Sequence, residues 1–185
     1  LGQNLIIENR PGGSGSVAIE ALLRGAHDGY TILVGSDSSF YQPVLKPALS
    51  YRTERDLRPI TILTNQPIVI AVHPSPGWKS IADLLRAAKA RPGEIAYALS
   101  SATGTQAVAA GVFFRAAGVK LLGIPYKGGG PALIDVIGGH VDFMFSTMLA
   151  AVPHVQSGRL KALAVTGSRR SPVVPDLPTV AESGV

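Results

Sequence analysis

Short apolar runs alternate with stretches of helical spacing along the chain, and Gly- or Pro-bearing turns separate them. Eight runs have the apolar, β-branched character of strands: Leu5–Glu8, Tyr30–Gly35, Ile60–Leu63, Ile68–His73, Ile95–Ala98, Lys120–Ile124, Val141–Phe145 and Leu160–Val165. Between them, helical periodicity predicts helices over Ser16–Arg24, Ser80–Ala90, Gln106–Ala117, Pro131–Ile137 and Met148–Gln156. Ser80 and Asp83 stand at capping-box spacing, Gly118 is a natural helix stop, and Pro131 suits a first helical position. The stretch from Ser36 to Pro59, punctuated by Pro43 and Pro47, predicts no element. Alternation of this kind specifies an α/β fold, a mostly parallel sheet with helices on both faces.

The chain is large enough to bury a sizeable core, at 185 residues with 46% apolar and 16% charged. Its formal charge of +5 is scattered, and only Arg169 and Arg170 are adjacent basic residues. A nucleic-acid surface would instead gather Lys and Arg on one face and interleave aromatics. A diffuse positive field still favours an anionic ligand. The absence of cysteine excludes thiolate chemistry, Cys-based metal sites and disulfides. Arg115 interrupts the richest apolar stretch, Ala107–Val119, before it reaches bilayer length. The chain starts at Leu1 and stops at Val185 just beyond a Pro-rich turn, so it is expected to be truncated at both ends, its leader not included.

In open α/β sheets, ligands sit beyond the carboxyl ends of the strands. The loops expected there are 9–15, Ser36-Asp37-Ser38-Ser39, 99–105, 125–130 and Ser146-Thr147. They are rich in hydroxyls and glycines and poor in titratable groups. Several lead straight into a helix, where unpaired N–H groups and the positive end of the dipole suit a carboxylate or phosphate. Proton transfer would need a tunable acid or base at the centre. Taken singly, each Ser or Thr is explained by ordinary N-capping and Gly128-Gly129-Gly130 by a flexible turn. Several such loops at one edge go beyond what capping requires.

Other chemistries fit less well. The run Arg10–Gly15 has no Lys-Ser/Thr ending of a P-loop and lacks the spacing of a dinucleotide fingerprint. His27, His73, His140 and His154 are widely separated, so no metal site is expected, and no nucleophile elbow occurs. Trp78 and Lys79 follow a Pro-Gly turn and are expected on the surface. Asp142 is expected to be a structural hydrogen-bond partner.

The segments Glu8-Asn9-Arg10-Pro11-Gly12, Asp28-Gly29-Tyr30-Thr31, Pro125-Tyr126-Lys127-Gly128 and Leu163-Ala164-Val165-Thr166 occur in this order, followed by the Pro-rich run from Ser171 to Glu182. As an ordered set they resemble the tripartite tricarboxylate transporter substrate-binding (Bug) receptors over essentially the whole chain. The resemblance implies a two-lobed type II periplasmic-binding-protein fold: residues 1–72 with 163–185 form an incomplete first lobe and 73–162 the second. It implies a periplasmic receptor, monomeric, that captures a di- or tricarboxylate or related organic acid for a membrane permease. No cofactor, catalytic residue or nucleic-acid partner is implied. Carried onto matching positions, its ligand-binding residues are Ser36, Ser38, Ser101, Thr103, Gly104, Thr105, Tyr126, Lys127, Gly128 and Ser146. The chain departs from the family's pattern at Ala102 (usually Gly), Val108 (usually His) and Ser146 (often Asp), and the last argues against an amino-acid ligand. Two alternatives remain open here: a small-anion enzyme using Lys127 or Asp37, and a sensory module on the same fold.

The chain as it stands is expected to melt below a longer version that includes the rest of the first lobe. Equal melting temperatures in a scanning calorimeter would contradict that expectation.

Overall fold

The computed structural model describes residues 2–185. The chain divides into two compact units, Leu1–Thr61 and Ile62–Val185.

Within the first unit, a 3-10 turn at Gly13–Gly15 leads into α1 (Ser16–Leu23), followed by α2 (Asp37–Leu45) and α3 (Thr53–Asp56). Gly15 has φ 94°, and a Cβ there would lie 2.5 Å from Ser39 Oγ, so only glycine lets this turn close onto the start of α2. Ile19, Gln42 and Tyr51 form a small buried centre. Thr53 Oγ1 donates to the Phe40 carbonyl at 2.8 Å and ties α3 to α2.

Three expected strands are absent. Leu5–Glu8, Tyr30–Gly35 and Ile60–Leu63 form no ladder, and Ile6, Tyr30 and Ile62 are 90%, 94% and 85% exposed. A strand is held by its neighbour's backbone groups; among the described residues none pairs with these segments, and their apolar side chains stay open. Conversely, α2 forms where no element was expected. Ser36 stands at its N-cap, Asp37 places an acid in its first turn, and Pro43 is buried inside it. That burial offsets the ladder bond a proline forgoes.

The second unit is a five-stranded sheet in the order β3-β2-β4-β1-β5. Its strands are β1 (Ile68–Val72), β2 (Ala96–Leu99), β3 (Leu122–Pro125), β4 (Phe143–Thr147) and β5 (Lys161–Val165). β2 pairs in parallel with β3 and β4, whereas β1 pairs antiparallel with β4 and β5. Four strands therefore run one way and β1 alone opposes them, so two of the four ladders are antiparallel rather than the sheet being mostly parallel. The cause is topological: the β4-to-β5 connection leaves a one-strand gap, and β1 fills it from the other direction.

Every residue of β1 is buried, as expected for a strand covered on both faces. Ile68, Ile70 and Val72 face one core with α4 (Ile81–Ala90) and α5 (Thr105–Ala117). Val69 and Ala71 face the other with α6 (Gly129–Ile137) and α7 (Met148–Gln156). An aromatic cluster of Tyr97, Phe113, Phe114, Phe143 and Phe145 fills the first core, with ring centroids 4.8–6.4 Å apart. Trp78 belongs to this core at 7% exposure, contrary to the surface position expected of it, because the turn before α4 folds its ring inward beside Ile81. Lys79 is exposed as expected.

Ser80, Gly118 and Asp142 act as the sequence suggests, whereas Pro131, expected at a first helical position, stands third in α6 because the helix already starts at Gly129. Ser80 Oγ accepts from the Asp83 N–H at 3.2 Å, and the Asp83 carboxylate accepts from the Lys79 N–H at 3.0 Å. The Lys79 N–H, and after it a hydrogen bond from the Ser80 side chain, hold the Asp83 carboxyl below its ordinary range. Gly118 ends α5 with φ 63°, and the Val119 N–H reaches back to the Phe114 carbonyl at 3.1 Å. Asp142 accepts from the Ala96 N–H at 2.9 Å, the structural role expected of it. The Pro-rich end lies along β5 as a strap. Val165 donates to the Pro178 carbonyl and accepts from the Val180 N–H, both at 2.9 Å. Thr179 and Glu182 cap each other reciprocally, and Arg170 pairs with Glu182 at 2.9 Å.

Phe143→Ala should cost about 3–5 kcal/mol in urea unfolding, since it removes a fully buried ring from the centre of the aromatic cluster. Val112→Ala, on the open face of α5, should stay within about 0.5 kcal/mol. A Phe143→Ala cost under about 1 kcal/mol would contradict this packing.

Candidate functional site

Parallel strands end at the same edge of a sheet. Because β3, β2 and β4 are neighbours running in one direction, the segments after them emerge side by side. Each leads into a helix: α5 after Gly104, α6 after Gly128 and α7 after Thr147. Three helix N-termini with their aligned dipoles thus start from one edge. None of the three N-cap residues supplies a side-chain cap, Gly104 and Gly128 having no side chain to do so. The contrast is α4, which Ser80 caps in the ordinary way. α1, α2 and α3 also begin without a cap from the N-cap side chain, so what sets this edge apart is that three helix starts leave neighbouring parallel strands.

The loop after β2 carries Ser101, Thr103, Gly104 and Thr105, all half-buried. Ser101 Oγ accepts from the Thr103 N–H at 3.4 Å, a long bond that keeps the loop turned. A Cβ on Gly104 would meet the Ser101 Cβ at 3.3 Å, so the turn is as close as glycine allows. The loop after β3 carries Tyr126, Lys127 and Gly128. It is stitched to the first loop by the Tyr126 N–H donating to the Leu99 carbonyl at 2.8 Å and the Gly128 N–H to the Ser100 carbonyl at 3.1 Å. Gly128 has φ 114°, a conformation that favours glycine. Lys127 is exposed between these two bonds. Ser146, one residue before the end of β4, is 2% exposed, and its hydroxyl donates to the Thr147 carbonyl at 3.3 Å.

Eight of the ten residues singled out in the sequence thus share one edge of the second unit. Ser36 and Ser38 lie in the first unit, where their hydroxyls are 2.6 Å apart and the Ser38 N–H donates to the Asp37 carboxylate at 2.8 Å.

One residue escaped the sequence reading. Asp135, seventh in α6, accepts the Tyr126 hydroxyl at 2.7 Å. That bond to a carboxylate, reinforced by partial burial, pushes the Tyr126 hydroxyl up to about 12. The tyrosine remains a donor committed to Asp135 at neutral pH. Only the β3–α6 geometry joins these two residues, and no spacing rule in the sequence marks them.

No group of three or more metal-ligating side chains occurs among the described residues. None of their helices is long and apolar enough to cross a membrane. A surface groove of about 600 Å³, lined by Val155, Leu160, Val174 and Leu177 among others, contains none of the ten residues.

Over residues 1–185 the sequence matches the family described as Tripartite tricarboxylate transporter family receptor. Protein BugT of Bordetella pertussis is 38% identical over 190 residues, covering all of this chain and 57% of BugT. Among solved structures, an R. palustris protein with adipate superposes with a TM-score of 0.84 at 31% identity, covering all of this chain and 62% of that one. MatC from Rhodopseudomonas palustris with bound malate superposes at 0.80 and 29% identity, covering 94% of this chain and 59% of MatC. The chain spans little more than half the length of the curated relatives it matches. A match along the whole sequence, together with a shared fold, shows that this chain belongs to the tripartite tricarboxylate transporter receptor family.

Proposed function

We propose that the protein is a non-catalytic periplasmic receptor, monomeric, that captures a small organic dicarboxylate or tricarboxylate and delivers it to a membrane permease. The observation that carries this reading is the edge where α5, α6 and α7 begin side by side, after three neighbouring parallel strands. Uncapped helix starts present backbone donors and the positive end of a dipole to an anion, and they do so without a counter-charge to desolvate. Ser101, Thr103, Gly104 and Thr105 are the proposed carboxylate contacts, with Lys127, Gly128 and Ser146 beside them and Tyr126, its N–H given to Leu99 and its hydroxyl to Asp135, as the wall behind them.

Family membership supports the receptor role, and the relatives solved with adipate and malate support the ligand class. β1 and β5 are antiparallel neighbours, which suits one strand entering a lobe and the other leaving it. On that basis residues 1–72 with 163–185 would count as the first lobe and 73–162 as the second. Closure of two lobes on the anion would then report the loaded state to the permease.

Malate, adipate or citrate at a hundredfold excess over its Kd should stabilise the full-length protein by about 2.7 kcal/mol, seen as a rise of several degrees in the thermal melt. Ser101→Ala and Thr103→Ala should each weaken binding about 2- to 10-fold by titration calorimetry, as expected for loss of one neutral hydrogen bond. A full-length protein whose melt moves with none of these acids would contradict the receptor reading.

A further inference from the structure

The start of α6 is the least restrained of the three helix starts. Gly128, Gly129 and Gly130 follow one another, and a Cβ on any of them would meet no atom within 4 Å. Successive glycines have the most backbone freedom to lose on ordering. The two backbone bonds from Tyr126 and Gly128 fix the turn against β2, and Ala132, Leu133 and Val136 pack the body of α6 into the second core; between these two anchors Gly129 and Gly130 have no side chain to pack. Across this hinge runs one side-chain link, Tyr126 Oη to Asp135 Oδ2 at 2.7 Å. Tyr126 is anchored at one end by the half-buried packing of its ring against the core formed with α6 and α7. Asp135 is anchored at the other by its place in the second turn of α6.

Asp135 has no reason of its own to be where it is. An acid in the C-terminal half of a helix opposes the macrodipole, and no cation pairs with it among the described ion pairs. Its partner is the tyrosine on the far side of the glycines.

We propose that Tyr126 and Asp135 are a positioning pair: a strut across the three-glycine hinge that aims the first amides of α6 at the ligand and so sets affinity without touching it. This rests on the receptor reading above. The strut converts a pliable helix start into a preorganised one, so that less ordering is left to be done on binding.

The test uses the full-length protein and the variants Tyr126→Phe, Asp135→Asn, Asp135→Ala and Tyr126→Phe/Asp135→Ala. Two quantities are read: hydrogen exchange without ligand at the Ala132 and Leu133 amides, the first in α6 that can bond back to the glycines, and the Kd for malate and adipate. Tyr126→Phe is expected to speed exchange at those amides and weaken binding, each about tenfold, the scale of one charge-assisted hydrogen bond. Asp135→Asn keeps an acceptor and should lose less than Asp135→Ala. The double variant should be no worse than the worse single, because both remove the same link. Unchanged exchange overturns the proposal. So does faster exchange with unchanged affinity, and so does additive loss in the double variant. Should Tyr126→Phe fail to fold, the ordering of Asp135→Asn and Asp135→Ala decides the matter by the same two readouts. If the unaltered protein binds neither acid, the receptor reading falls, and the exchange result alone decides whether the strut exists.

Discussion

Parallel pairing of β2 with β3 on one side and with β4 on the other sends three chain segments out of the same edge of the sheet. Each segment must turn sharply, and each turns into a helix, so that α5, α6 and α7 all begin there. The rest of the second unit serves this arrangement. β1, buried on both faces and bonded to β4 and β5, pins the sheet from behind. The aromatic cluster and the α6–α7 core press the two faces together. The strap from Ser171 onward covers the β5 edge, which would otherwise present unpaired backbone groups.

The chemistry that follows from this edge is neutral. On the proposed function, helix-start amides and hydroxyls would replace the hydration of an anion without bringing a buried charge that would itself need desolvating. The buried position nearest the edge, Ser146, donates to a carbonyl and carries no charge. Lys127 is exposed and contributes at most a screened attraction. Tyr126, which the sequence suggests as a wall of the site, instead spends its hydroxyl on Asp135. On the positioning proposal its contribution at the edge is mechanical.

The second unit was largely legible in the sequence. Ile68–Val72, with apolar side chains at every position, reads as a strand covered on both faces, and Ser80 with Asp83 reads as a helix start. Met148–Gln156 matches its expected span despite Pro153, because the apolar spacing outweighs one missing ladder bond. The orientation of β1 was not legible, since strand direction depends on which neighbours a strand finds. Trp78 was misread as a surface residue because a turn motif says nothing about where the following ring points. The first unit was read less well. Leu5–Glu8 and Tyr30–Gly35 carry strand patterns, yet a pattern supplies side chains and not the hydrogen-bonding neighbour. α2 was hidden by Pro43, which sequence rules treat as a breaker. The ten site residues came from loop chemistry and family resemblance together; Asp135 came from neither, because its meaning lies in a contact across three glycines.

Backbone amide shifts of the full-length protein during titration with malate test the central claim most directly. The account predicts that the largest changes fall at residues 104–106, 128–130 and 147–149, the starts of α5, α6 and α7. Changes concentrated in the groove around Val155, Leu160 and Leu177, with those three helix starts silent, would contradict it.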